Sequence, residues 1–359
     1  MRKRVPMVRP VYRERSHCRD SVPFGLFVPQ CGVAGIWGPS AVACATLACE
    51  DINRAGGIGG RELKLEVFDA SDECDDLGQR TRDAIDEGRI EAIVGMHTSS
   101  VRDVLAASSA GRVPYVYTAL HEGMGQSLNL YTIGETPERQ LRPAIDLLVR
   151  QRGAKRWMFI GNDYVWPRVS HRLASRYVAR AGGELLADRY LPLGSLDIDG
   201  LLEAIAYERP DALLLSLVGQ DAVDFNRRFG ASGFTRKILR LSCAIEENIL
   251  LAIGAAASEN LFAVSGYFGA LGDDANMAFK ERYHQRFGQR APTLNSLGQS
   301  TFEGIHFAAA MAGDGAITED GALAFAGVRG IGWRSNSDLS YPVHLAQADG
   351  HFFRVVHSF

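Results

Sequence analysis

Short apolar runs alternate with segments of helical periodicity from Phe24 almost to the C-terminus, the pattern that repeated strand–helix units around a parallel sheet produce. FGLFV (24–28) reads as the first strand. A loop over 29–38 precedes a helix over 39–54, and AGGIGG (55–60) ends it, because glycine accepts the left-handed backbone that a helix end needs. LKLEVFD (63–69) is a second strand, followed by helix 75–88, strand 90–95, helix 99–110 and strand 113–118. LNLYTIG (128–134) leads out of the first half in extended form.

The alternation then restarts with helix 138–152, strand 156–161, helix 167–181, strand 184–191, helix 198–207, strand 212–219, helix 222–232, strand 237–242, helix 246–253 and strand 261–266. Two long helices, 273–287 and 297–311, come after this second set is complete, which implies a return to the first half; YPVHLAQ and HFFRVVH add a β-rich tail. The pattern predicts an α/β fold of two doubly wound parallel-sheet lobes joined by multiple crossovers. The first lobe is expected over 23–134 with 264–328 and the second over 135–263 with 329–359, behind a basic tail over 1–22. A chain of 359 residues with 46% hydrophobic positions is long and apolar enough for two cores.

A formal net charge of −3 gives no electrostatic footprint for nucleic acid, and no apolar run approaches the roughly 20 residues that span a bilayer. Arg2, Lys3, Arg4, Arg9, Arg13, Arg15 and Arg19 crowd the start with no apolar segment behind them, unlike a secretory leader. Cys18, Cys31, Cys44, Cys49, Cys74 and Cys243 contain no CxxC pair. The expectation is a cytoplasmic location with reduced thiols; the alternative is a periplasmic or cell-surface protein. No metal or cofactor is expected.

In open α/β sheets, small molecules bind beyond the carboxyl ends of parallel strands. GNDYVWPR (161–168) follows such a strand and places Asn162, Asp163, Tyr164 and Trp166 there, the two rings offering apolar faces with one donor each. His97, Thr98, Ser99 and Ser100 precede a helix, so hydroxyls and helix-start amides converge on a point suited to a carbonyl oxygen or a small anion. Ser99 or Ser100 could equally cap its own helix. Val218, Gly219 and Gln220, and the stretch Cys243 to Glu246 with Ala244, occupy equivalent strand ends of the second lobe. His97 and His121 lack a third ligand at metal spacing and read as polar rim residues. No nucleophile elbow, phosphate-cradling glycine loop or spaced nucleophile–base pair occurs, which argues against an enzyme, including an amide hydrolase built on Cys243 or Ser99.

INRAGGIGGRELKLEVFDA (52–70), VGMHTSS (94–100), YTALHEG (117–123) and GNDYVWPR, in this order of elements, resemble the type I periplasmic-binding-protein fold over nearly the whole chain from Pro23 onward. Within it they look most like the branch that binds short-chain amides and urea, which includes cytoplasmic amide sensors of amidase operons and exported transporter receptors. The resemblance implies that Ser99 hydrogen-bonds the ligand from the first lobe and that Tyr164 covers it from the second. Glu122 and Gly123 also match, and Trp166 stands where the branch has another aromatic. Tyr117, Thr118, Ala119 and His121 then join the candidate contacts. Thr118, Ala119, Leu120 and His121 depart from the sensors' Pro-Thr-Pro-Tyr run and remove one ligand hydroxyl.

These readings predict a non-enzymatic sensor for a small neutral amide-like ligand, with Ser99 on one jaw, Tyr164 and Trp166 on the other, and output through a regulatory protein partner. A homodimer is compatible with it. The alternative is an exported solute receptor for a urea, amide or branched-chain amino-acid transporter.

Overall fold

The computed structural model describes residues 20–71, 76–123, 127–313, 322–325, 327–329, 332–334 and 341–359. Cys18, Cys74 and the tail up to residue 19 lie outside the described residues; Cys31, Cys44, Cys49 and Cys243 are free thiols.

Five parallel strands, β1 (Ser21–Val28), β2 (Glu62–Asp69), β3 (Ala92–Gly95), β4 (Tyr115–Tyr117) and β5 (Leu130–Thr132), form the first sheet in the order β2-β1-β3-β4-β5. Helices α1 (Gly38–Arg54), α2 (Leu77–Asp86) and α3 (Ser99–Ser109) connect them. The stop after α1 is a glycine device. Gly57 has φ +74°, and a Cβ there would stand 2.1 Å from the Arg61 carbonyl oxygen.

The second lobe runs through α4 (Pro137–Arg152), β6 (Arg156–Asn162), α5 (Val165–Ala181), β7 (Glu184–Leu191), α6 (Ile198–Glu208), β8 (Ala212–Ser216), α7 (Gly219–Ala231), β9 (Leu239–Ser242), α8 (Glu247–Ile253) and β10 (Leu261–Ser265). Strands β8, β9 and β10 are buried along their whole length, as expected of parallel strands covered on both faces. Then α9 (Asp274–Phe287) and α10 (Ser296–Ala312) go back to the first lobe, where α10 packs on α1, β3 and β4. A short antiparallel pair, β11 (Ala322–Ala324) and β12 (Gly332–Arg334), follows. Finally β13 (His344–Asp349) and β14 (Phe352–Ser358) extend the second sheet antiparallel, giving β14-β13-β10-β9-β8-β6-β7.

The differences from the sequence pattern have local causes. β1 starts at Ser21 rather than near Phe24, paired in register with Glu62. β3 starts at Ala92 because the amide of Ile90 serves the carbonyl of Ala84 at the end of α2. β8 stops at Ser216 rather than 219: the Val218 amide donates to Asn162 Oδ1 (2.9 Å), and Gly219 already begins α7. Helix α5 begins at Val165, which puts Trp166 in its first turn rather than in the loop. The three-residue strands β11 and β12 show no alternation to read.

Where the chain passes between lobes, a buried ion network ties the passages together. Glu135, just after β5, accepts the Gly266 amide (3.0 Å) and pairs with Arg329 (2.8 Å). Arg329 also holds Glu303 of α10 (2.6 Å), with its side chain only 3% exposed, and stacks over the Tyr341 ring at 4.2 Å. Glu135 thus links the passage at Gly266 to Arg329, whose guanidinium joins it to α10.

Candidate functional site

The strand ends of both lobes face each other across a cavity of about 30 Å³. Thr98, Ser99, Tyr117 and Ala119 line it from the first lobe, and Tyr164, Trp166 and Ala244 from the second. Trp37, His97, Leu120, Val218, Glu246 and Leu297 complete the wall. Since one water needs roughly 10–15 Å³ of such space, the room left suits only a few non-hydrogen atoms.

Each jaw keeps a polar atom unused. Ser99 Oγ is buried with no hydrogen-bond partner among the described residues, and so is Trp166 Nε1. Thr98 is the residue before α3 and makes no side-chain cap, so neither Ser99 nor Ser100 caps the helix. By contrast, the Tyr117 hydroxyl donates to the carbonyls of His97 (2.7 Å) and Leu120 (3.3 Å) and offers the cavity a ring face. Arg102 lies over that ring at 5.5 Å and pairs with Glu122 (2.5 Å).

Charge is nearly absent from the wall. Burial lowers His97 to about 4, and its ring nitrogens are engaged with the Thr98 carbonyl (3.0 Å) and the Tyr115 hydroxyl (3.0 Å), so it is buried structure rather than rim and is no base for Ser99. Burial raises the Glu246 carboxyl to about 8, against the opposing hydrogen bond from Trp37 Nε1 (3.1 Å). Among the described residues, no lysine or arginine lines the cavity.

Four sequence candidates lie off this wall. Ser100 is exposed one residue further along α3. Thr118 turns its hydroxyl to the Gly95 carbonyl (3.2 Å), and its own carbonyl accepts from Ser300 (2.6 Å). His121 is buried, not at a rim, with Nδ1 accepting the Gly123 amide (3.1 Å); burial lowers it to about 4. The side chain of Gln220 goes to Asp224 on its own helix (2.8 Å). In the GNDYVWPR stretch, Asn162 braces the second lobe by binding Asp221 (2.6 Å) and the Val218 amide, while Asp163 pairs with Arg168 (2.6 Å).

Sequence reasoning passed over Trp37, Leu120 and Leu297. Trp37 was legible in one respect: a large ring in a glycine-bounded loop after the first strand, at a ligand-facing strand end. Glu246 was placed at a strand end but given no role.

The lobes touch directly around the cavity. The Gln220 amide donates across the cleft to the Val33 carbonyl (2.9 Å), and Asn248 Nδ2 to the Ile36 carbonyl (3.0 Å). Gly219, at φ +53°, sits so close that a Cβ would stand 1.9 Å from Val33 O. With the Trp37–Glu246 hydrogen bond, these contacts hold the two lobes shut.

Comparison with known proteins adds the following. The family model described as periplasmic binding protein matches residues 21–356. The Leu/Ile/Val-binding protein homolog 8 of Brucella abortus is 30% identical over 135 residues, 36% of this chain and 33% of that protein, so the match spans only a third of the curated relative's length. A solute binding protein of an ABC transporter from Rhodopseudomonas palustris BisB5, solved with 3,4-dihydroxybenzoic acid, superposes with a TM-score of 0.83 at 18% identity over 95% of this chain and 98% of that one. A branched-chain amino acid transporter substrate binding protein from Streptococcus pneumoniae, solved with isoleucine, gives 0.78 at 16% identity over 94% and 98%. At such identities the likeness to solved structures concerns the fold.

Proposed function

The chain belongs to the periplasmic binding protein family, and from that premise we propose that it is a solute receptor whose two lobes close on a small, uncharged, amide-like molecule. One observation carries this reading: among the described residues, the interlobe cavity has an unused donor or acceptor on each jaw, aromatic walls and no cationic side chain. A carbonyl oxygen accepts from Ser99 Oγ and the start of α3, and an amide NH₂ donates to the oxygens of Glu246. Trp166 Nε1 supplies a further donor. Because ligand bridges both jaws, it has higher affinity for the closed form and shifts the lobes toward it.

Size supports the same class. Acetamide and urea have four non-hydrogen atoms, whereas isoleucine or a dihydroxybenzoate needs a cavity well above ~30 Å³. A carboxylate would also enter without a counter-ion, which costs affinity in a buried site.

The names of the relatives favour a transporter receptor over a sensor, since those of similar fold are described as solute or substrate binding proteins of transporters. A cytoplasmic amide sensor with a regulatory protein partner rests on the GNDYVWPR motif and uses the same cavity. Calorimetry with acetamide, butyramide, urea, isoleucine and 4-hydroxybenzoate tests the ligand class: heat from an amide or urea is expected, and binding of isoleucine or the benzoate alone sinks it. Co-purification with a membrane permease, or with a soluble regulator, separates the two outputs.

A further inference from the structure

Away from the cavity, α4 and α5 pack together and leave a groove of about 1070 Å³ along their outer faces. Its rims are arginine: Arg139, Arg142 and Arg150 from α4, and Arg172, Arg176 and Arg180 from α5. The last three recur every four residues, which stacks them along one face of the helix. Pro143, Val169, Leu173 and Tyr177 line it between them.

The acids in the groove do not balance this charge. Of Glu122, Glu138 and Asp146, the first is taken by Arg102 (2.5 Å) and the last by Arg150 (2.9 Å). Arg142, Arg172, Arg176 and Arg180 form no ion pair among the described residues. Arg139 gives Nη2 to the Tyr341 carbonyl, but its Nη1 is buried with no acceptor among the described residues. A chain of net charge −3 therefore concentrates unneutralised positive charge in one concave place.

We propose that this groove docks an acidic segment of a partner protein, with carboxylates on the arginine rims and an apolar side chain on the floor. Guanidinium forks match carboxylate geometry, and a depression lined with apolar side chains between charged walls suits a single extended chain, whereas a flat anionic surface reaches only the rims. The dimensions agree: α5, with 17 residues, is about 25 Å long, the span of roughly seven or eight extended residues. Glu122 and Gly123 belong to the first lobe and the helices to the second, so the groove crosses the lobe boundary and its shape follows closure. The proposal is independent of which solute fills the cavity.

The probe is a fluorescein-labelled peptide of sequence EELEELEE, titrated with the full chain and followed by fluorescence anisotropy, beside the QQLQQLQQ peptide and phosphatidylglycerol vesicles. Expected results are binding of the acidic peptide alone, weakening as salt rises, and at least tenfold loss in R142E/R176E but not in the remote surface variant R236E. If R142E/R176E melts early, R172Q/R180Q replaces it, with a smaller loss expected. No peptide binding, equal binding to wild type and groove variants, or binding to vesicles without binding to the peptide overturns the proposal.

Discussion

Replacing Gly219 by alanine isolates lobe closure from everything else the protein does. A Cβ there would lie 1.9 Å from Val33 O and 2.8 Å from Val33 C, both across the cleft, whereas a carbon meets an oxygen comfortably at about 3.2 Å. The lobes of G219A must therefore stay apart by roughly 1 Å at this point, which stretches the Gln220–Val33 and Trp37–Glu246 hydrogen bonds of 2.9 and 3.1 Å. At about 0.5–1.5 kcal/mol each, their loss disfavours the closed form by about 1–3 kcal/mol, or roughly 5- to 150-fold in ligand affinity. The left-handed backbone at φ +53° adds about 1 kcal/mol of strain for alanine, but this falls on open and closed forms alike and appears in thermal stability, not in closure. Spin labels placed on α2 and α6 report the lobe separation, and calorimetry with the ligand found in the panel above reports affinity. A variant with both the distance distribution and the affinity of wild type would show that the Gly219 contact does not govern closure.

S99A and Y164A should each weaken the ligand by about tenfold or more in calorimetry while leaving the melting temperature within a few degrees, because they remove a contact and no core residue. Glu246 is raised from 4.5 to about 8 by burial, so the folded chain keeps a proton that the unfolded chain releases: this contribution to stability is complete below pH 4.5 and is lost as pH rises through 8. E246Q should flatten the fall in melting temperature between pH 5 and 8, with Glu247, raised to about 7, keeping a residual slope. R329M leaves Glu135 and Glu303 buried without their cation, and denaturant unfolding should show a loss of about 3–5 kcal/mol. Wild-type stability in that variant would mean the network is not held as described.

Periodicity carried most of the architecture, because parallel strands covered on both faces are continuous apolar runs and the helices between them repeat at 3.6 residues. Strand ends were less legible. Ile90 is apolar enough to extend β3, yet its amide closes a helix instead, and nothing in the local sequence of Val218 announces that a distant Asn162 will take its hydrogen bond. In the site, Ser99, Tyr164 and Trp166 could be placed together because each follows a strand that points at the cleft. Thr118 and His121 follow such a strand too, but the Thr118 hydroxyl turns to the Gly95 carbonyl and the His121 ring to the Gly123 amide. Which way a loop side chain turns depends on those partners and not on its position in the alternation. Trp37 and Leu297 come from a loop and a helix some 260 positions apart in sequence, a convergence that only the α1–α10 packing creates.

A chamber of about 30 Å³ also fixes how a guest arrives and leaves. With Gln220 bonded to Val33 and Trp37 to Glu246 across the cleft, a guest of several atoms is expected to enter when the jaws part. Capture at high solute concentration should then level off at the frequency with which the halves spring apart, and dwell time should track that same frequency rather than the strength of any single hydrogen bond.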